Sequence, residues 1–359
     1  MGVDHELPLP GDGGRGGIRA VARRAGVSPS TASRSLRPGT MVAATTREKV
    51  LRAARELGYQ LPRSGEGTRL VAVLARYPSQ WFFAESITAV EHVLAARGQR
   101  LVLHNMSDPG SRTAFFDSVL PQGQFDGVIV ISTSFTLAEQ EALLRLPVPG
   151  VVVGGYLPGW PTIGVDETAA ARAATQHLIG LGHRRIGLLA FDPDEPVGTE
   201  TTDARRRGFD VALADNGLPA DPRWIVAAEG SRMAGGRQAA EYLLSRPELP
   251  TAVFAMSDEL AIGALHAFRR AGLHVPGRLS VIGFDDHEMA EYADLTTIHQ
   301  PVAQQAQLAA SRLGTPTHDI DLVFRLRVRG TTGPPPPVGR ALDSDRGDDA
   351  EPAAPVGHR

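Results

Sequence analysis

"IRAVARRAGVSPSTASRSL", Ile18–Leu36, decides the fold of the first part of the chain. It holds four arginines and no acidic residue. Gly26 separates two short helical patterns. The first spans about Arg19–Ala25, with Val21 and Ala22 facing inward, and Gly26 supplies the tight turn that a close helix pair needs. Ser28 is placed to cap the second helix, and Pro29 takes its first position, where a missing N–H costs nothing. A third helix follows. Thr45 with Glu48 reads as a capping box, Val50, Leu51, Ala54 and Leu57 form an apolar stripe at helical spacing, and Gly58 ends it. Three such helices make a helix-turn-helix unit whose second helix can enter a DNA major groove. That helix presents Ser30, Thr31, Ser33 and Arg34, and hydroxyls with a guanidinium suit phosphate oxygens and base edges.

Charge supports the same reading. The chain of 359 residues carries a net charge of −3. Arg15–Arg69 contains eleven Arg, one Lys and three Glu, or +9, so the remainder carries −12. A basic module joined to an acidic body suggests a module that faces a polyanion. The chain has no cysteine, which excludes disulfides, thiolate metal sites and a cysteine nucleophile and fits a reducing, cytoplasmic setting. No metal site or cofactor is expected. The first residues lack the pattern of a signal peptide, and no run of apolar residues is long enough for a membrane span.

The length implies two or three domains, and 42% hydrophobic residues suffice for well-buried interiors. Residues 1–16 are rich in Gly, Pro and Asp and are expected to be a disordered tail. Residues 17–59 form the helical headpiece, 60–68 a linker, 69–332 a larger core, and 333–359 a second disordered tail without periodicity. In the core, "LVAVLA", "RLVLH", "GVIVIS", "VVV", "RIGLLA", "AVFAM" and "LSVIGF" are short apolar runs. They alternate with helical patterns such as "ESITAVEHVLAARG", "ETAAARAATQHLIGLG" and "DELAIGALHAFRRAG". Such alternation predicts an α/β fold with parallel sheets covered on both faces, and the number of strands predicts two lobes.

The opening stretch, followed by "TREKVLRAARELGY", resembles the N-terminal signature of the lactose-repressor (LacI) family of bacterial transcription regulators. The segments "FFAESITAVEHVLAARGQRLVLHN", "FDGVIVIS", "HLIGLGHRRIGLL", "SDELAIGALHAFRRAGLHVPGRLSVIGFDD" and "LTTIHQPV" resemble that family's core in the same order, so the resemblance covers about residues 18–332. It implies a two-lobed core like that of periplasmic binding proteins. It also implies a homodimer on pseudo-palindromic operator DNA, and a small-molecule effector, by default a carbohydrate, bound between the lobes. A repressor is the expected sign of regulation.

The resemblance assigns base reading to Pro29, Ser30 and Arg34, and phosphate contacts to Thr31 and Ser33. Pro29 offers no donor or acceptor, so Ser30 and Arg34 carry the hydrogen-bonded readout. The linker departs from the family. "LGYQLPRSGEGTRLVAV" is shorter than the usual spacing, its Pro62, Gly65 and Gly67 disfavour a hinge helix, and Leu61, the only leucine in the gap between "LGY" and "RLVAV", lies too early to be an obvious substitute for the hinge leucine. For the effector the resemblance assigns Arg205, Asp258 and, on even terms with a structural role, Asp285. Trp81 and Phe82 can stack on a sugar ring or pack within their lobe. His104, His183 and His287 have no partners at metal-ligand spacing and are read as structural or exposed. Two other readings compete. A solute-binding protein with the same core would not need the basic headpiece. An enzyme would be expected to show a nucleophile, zinc or phosphate-loop motif, and no G-x-S-x-G, H-E-x-x-H or P-loop pattern is present.

Overall fold

A computed structural model describes residues 18–36, 42–57, 69–191, 200–229 and 232–337. The expected hinge, with Leu61, and the expected tails at 1–16 and beyond 337 lie outside the described residues, as do Gly58 and the side chain of Ser33. The chain divides into two units, residues 1–67 and 68–359.

In the first unit, α1 (Ile18–Ala25), α2 (Pro29–Ser35) and α3 (Ala44–Glu56) enclose a small core of Val21, Ala22, Ala32, Val50, Ala53 and Ala54. Gly26 joins α1 to α2 at φ +66°, a conformation costly for any residue with a Cβ. The third helix corrects two expectations. It starts at Ala44, and the Ala43 carbonyl accepts from the Thr46 and Arg47 N–H groups, so Thr45 lies inside the first turn and is not the cap. Leu51 is 37% exposed, and Ala53 takes the inward place.

The second unit is two-lobed. Its first lobe runs through β1 (Leu70–Ala75), α4 (Trp81–Ala96), β2 (Arg100–Asn105), α5 (Pro109–Ala114), β3 (Gly127–Ile131), α6 (Leu137–Leu144), β4 (Gly150–Val153) and β5 (Thr162–Gly164). The chain then crosses to the second lobe. There it forms α7 (Glu167–Gly180), β6 (Ile186–Phe191), α8 (Glu200–Asp215), β7 (Ile225–Ala228), α9 (Met233–Leu244), β8 (Ala252–Ala255), α10 (Asp258–Arg270), β9 (Ser280–Asp285), α11 (Glu288–Tyr292) and β10 (Thr296–His299). It returns to the first lobe for α12 (Val302–Arg312) and β11 (Ile320–Asp321), and crosses once more for β12 (Arg325–Arg327).

The strand orders are β11-β5-β4-β3-β1-β2 and β12-β10-β9-β8-β6-β7, and every described pairing is parallel except β10 with β12. Alternate residues of one strand feed opposite cores. In β1, Val71, Val73 and Ala75 pack beneath α4 and α12, whereas Ala72 and Leu74 pack with Phe115 and Phe125 on the other face. In β8, Val253 and Ala255 join one cluster and Ala252 and Phe254 the other. This two-sided burial explains why these strands read as unbroken apolar runs.

Helices α9 and α10 approach closely through Gly236 and Gly263. A Cβ on Gly236 would strike the Leu260 carbonyl, and one on Gly263 the Met233 carbonyl. The expected tail at Gly333 starts too early. The Gly333 N–H donates to Ser280 Oγ at 3.0 Å, and its carbonyl accepts from Ser280 Oγ and lies 2.9 Å from His183 Nε2, so ordered chain continues to Pro337. His183 is therefore a buried core residue, bonded also to Thr251 Oγ1.

Candidate nucleic-acid interface and effector cleft

In α2 the local chemistry fixes the helix start. Ser28 Oγ accepts from the Thr31 N–H at 3.1 Å and shares hydrogen bonds with Ser30 Oγ and Thr31 Oγ1 at 2.9 and 2.8 Å. Ala32 and Ser35 face inward, at 0% and 2% exposure. Pro29, Ser30 and Arg34 are exposed, and Ser30 and Arg34 stand four residues apart on one face. Thr31 is half-buried and tied to the cap, although a hydroxyl keeps further hydrogen-bonding capacity for a phosphate. Arg24 is paired with Glu56 at 2.6 Å and contributes less free positive charge than its sequence suggests.

In the two-lobed unit, loops after the parallel strands of the two lobes meet, at the strand ends where ligands usually bind in such sheets. Trp81, after β1, lies against His287, after β9, with ring centroids 5.0 Å apart. Backbone conformation marks the same edge. Ser132, after β3, has φ +37°, Asp285 has φ +119° and Asp286 has φ +59°. Such conformations cost about 1–3 kcal/mol each and persist where surrounding structure holds them.

The holding groups are visible. Asp286 accepts from Arg329 Nη2 at 2.7 Å, lies 3.0 Å from His299 Nδ1, and donates its N–H to Thr297 Oγ1 at 3.4 Å. Asp285 Oδ1 accepts from Gln300 Nε2 at 2.7 Å and lies 3.5 Å from Arg205 Nη2. Burial pushes the Asp285 carboxyl up to about 7, against the opposing pull of Arg205 and Gln300. Its second oxygen, Oδ2, has no partner among the described residues, so it can accept from a ligand hydroxyl.

Arg205 and Asp258 are both buried and bonded within the protein. Arg205 is 4% exposed. Its Nε donates to Glu167 Oε2 at 2.8 Å, its Nη1 donates to the Met256 carbonyl, and its guanidinium lies 3.6 Å from the Phe284 ring centroid. Burial opposes its charge, but Glu167 and Asp285 more than compensate, raising its pKa. In this arrangement the fork braces Asp285 and the end of β8.

Asp258 is fully buried in the first turn of α10. Its Oδ1 accepts from Thr297 Oγ1 at 2.6 Å and its Oδ2 from the His287 N–H at 2.8 Å. Burial, reinforced by the Asp285 charge, pushes its carboxyl well above the usual range. Through these two bonds Asp258 holds the Asp285–His287 loop.

The two aromatics also separate. Trp81 and Phe82 open α4 instead of preceding it. Phe82 packs edge-on against Phe83 within the first lobe at 5.5 Å, whereas Trp81 reaches across to the second lobe. His104 is wedged between Phe115 and Phe125 in the first lobe, and burial lowers its pKa. Sequence reasoning missed Glu167, Gln300 and Thr297, which hold the site. Gln300 lies within the quoted "LTTIHQPV", but nothing in its spacing reveals the contact with Asp285.

Known proteins resemble both units of the chain. The family profile described as "Bacterial regulatory proteins, lacI family" matches residues 17–61, and that of the "Periplasmic binding protein-like domain" matches residues 175–332. The "HTH-type transcriptional repressor CytR" of Escherichia coli (strain K12) is 31% identical over 334 residues, covering 88% of this chain and 96% of that protein. The solved "transcriptional regulator CelR-cellobiose complex" is 29% identical with a TM-score of 0.66 over 88% of this chain and all of that one. A LacI family transcriptional regulator from Enterococcus faecium, solved with bound ribose, is 28% identical with a TM-score of 0.64, over 74% of this chain and 99% of that one.

Proposed function

Because the chain belongs to the LacI family of bacterial regulatory proteins, we propose that it is a DNA-binding transcriptional repressor whose operator affinity is set by a small sugar held between the lobes of its core. The observation that carries the reading is the joining, in one chain, of a basic helix-turn-helix unit to a two-lobed binding-protein core. The headpiece, residues 17–59, contacts one half of a pseudo-palindromic operator, and a homodimer spans both halves. Arg34 and Ser30 read base edges, Pro29 makes apolar contact, and Thr31 and Ser33 touch phosphates. In the core, residues 69–332, Asp285 accepts from sugar hydroxyls through Oδ2, and Trp81 supplies a flat surface for the sugar ring. Phe82 backs this wall of the cleft. Arg205 and Asp258 act through Asp285 and its loop. The protein acts in the cytoplasm, as a regulator and not as an enzyme.

Arg34→Ala tests the headpiece assignment. On DNA that the full-length protein selects from a genomic-fragment library, the substitution is expected to cost about 1–3 kcal/mol, with a much smaller loss on random DNA. Fluorescence anisotropy at fixed salt measures both. Equal losses on the two DNAs would make Arg34 a phosphate contact and remove it from base reading.

A further inference from the structure

Contacts bridge the lobes at the strand ends, away from the chain crossovers. Trp81 and His287 meet at 5.0 Å with their rings inclined by 35°. Two residues before Trp81, Ser79 Oγ accepts from Arg232 Nη2 at 2.9 Å, and Arg232 stands at the N-cap of α9. Opening the cleft must break both.

His287 is held by hydrogen bonds at its backbone and at its ring. Its N–H is fixed to Asp258 Oδ2, and its Nδ1 accepts from the Met289 N–H at 2.8 Å, capping α11. That cap leaves the proton of the neutral ring on Nε2, which has no hydrogen-bond partner among the described residues. The two residues before it are the strained pair Asp285 and Asp286, each pinned from neighbouring elements. A scaffold that holds one ring from so many sides, and sets it against a half-buried ring of the other lobe, is built to receive that second ring.

We infer that His287 is a positioning residue for effector binding: its fixed imidazole receives one face of the Trp81 indole as the lobes close, and so presents the other face to a ligand with a flat apolar side, such as a sugar ring. The inference rests on the reading that the cleft takes the effector. The Ser79–Arg232 contact is the polar half of the same clasp.

The absence of cysteine makes the test direct. Leu137, 79% exposed on the first lobe, and Tyr292, 82% exposed on the second, are replaced by cysteines and labelled with nitroxides. Pulsed electron resonance then reads the distance between the lobes in the full chain. His287→Asn keeps an acceptor for the Met289 N–H but removes the ring. It is expected to move the distances towards longer, broader values. Trp81→Leu is expected to do the same, and the double variant to do no more than either.

In calorimetry with D-ribose and cellobiose, His287→Asn is expected to weaken whichever sugar binds by roughly 3–10-fold, the size of an aromatic pair contact. If neither sugar binds the unsubstituted protein, the sugar reading fails, but the distance measurement still decides the clasp. Distances unchanged in both single variants, or shifts that simply add, overturn the inference. Should His287→Asn fail to fold, Trp81→Leu, which leaves α11 untouched, decides it alone.

Discussion

Asp285→Asn is expected to raise the stability of the ligand-free protein at pH 8 while blunting its response to effector. Asp285 binds its proton more tightly in the folded chain than in the unfolded one, because burial raises it to about 7. A group raised in this way contributes stability that is fully present below the unfolded carboxylate range and is lost as pH rises through the folded value. The relevant window is therefore about pH 4 to about pH 7. Above it, holding the buried carboxylate ionised, near Glu167, costs on the order of 4 kcal/mol relative to an exposed one. Asparagine removes that cost and can still accept from Gln300. Urea unfolding is expected to show the variant ahead of the unsubstituted protein at pH 8, with the gap closing near pH 4. Loss of a charged acceptor for ligand hydroxyls is expected to weaken effector binding by about 1.5–3 kcal/mol. A variant less stable than the parent at pH 8 would mean that the Asp285 charge is fully supported by Arg205.

Arg205→Ala is expected to act in the opposite direction. It leaves Glu167 and Asp285 buried without their counter-charge, uncovers the Phe284 ring and frees the Met256 carbonyl. Breaking a buried ion pair from one side costs about 3–5 kcal/mol, and the loss is expected to shrink towards pH 5 as Asp285 takes up a proton. The same unfolding measurements check it. A loss below about 1 kcal/mol would show that the guanidinium is a ligand contact in waiting and not a brace.

These two residues show where the sequence was legible and where it was not. The strands with contiguous apolar runs, such as Leu70–Ala75 and Ser280–Asp285, declare themselves because both of their faces are buried. Thr296–His299 does not: its buried Thr296 and Thr297 are polar, and their burial makes sense only beside Thr331, Thr332 and Asp258, which are distant in sequence. Met233–Leu244 carries Gly235 and Gly236, which argue against a helix until α10 is seen to need the close approach.

The first two helices of the headpiece are readable from local caps and turns, whereas α3 is not: its start at Ala44 and the outward Leu51 depart from the sequence pattern. Nor is the core site. Asp258 and Asp285 both follow strands, and only backbone strain and long-range partners separate the holder from the residue left open to a ligand. His287 looked idle because its importance lies across the cleft, in Trp81.

We propose that this one chain couples DNA recognition to ligand binding. The direct measurement is anisotropy of the full-length protein on its selected DNA, across a salt series, with and without a sugar that stabilises the core in thermal unfolding. Affinity is expected to fall steeply with salt, with a preference over random DNA at every salt concentration and a change of roughly 5–150-fold on adding the sugar. Binding without sequence preference, or selected-DNA affinity indifferent to every sugar that stabilises the core, would contradict it.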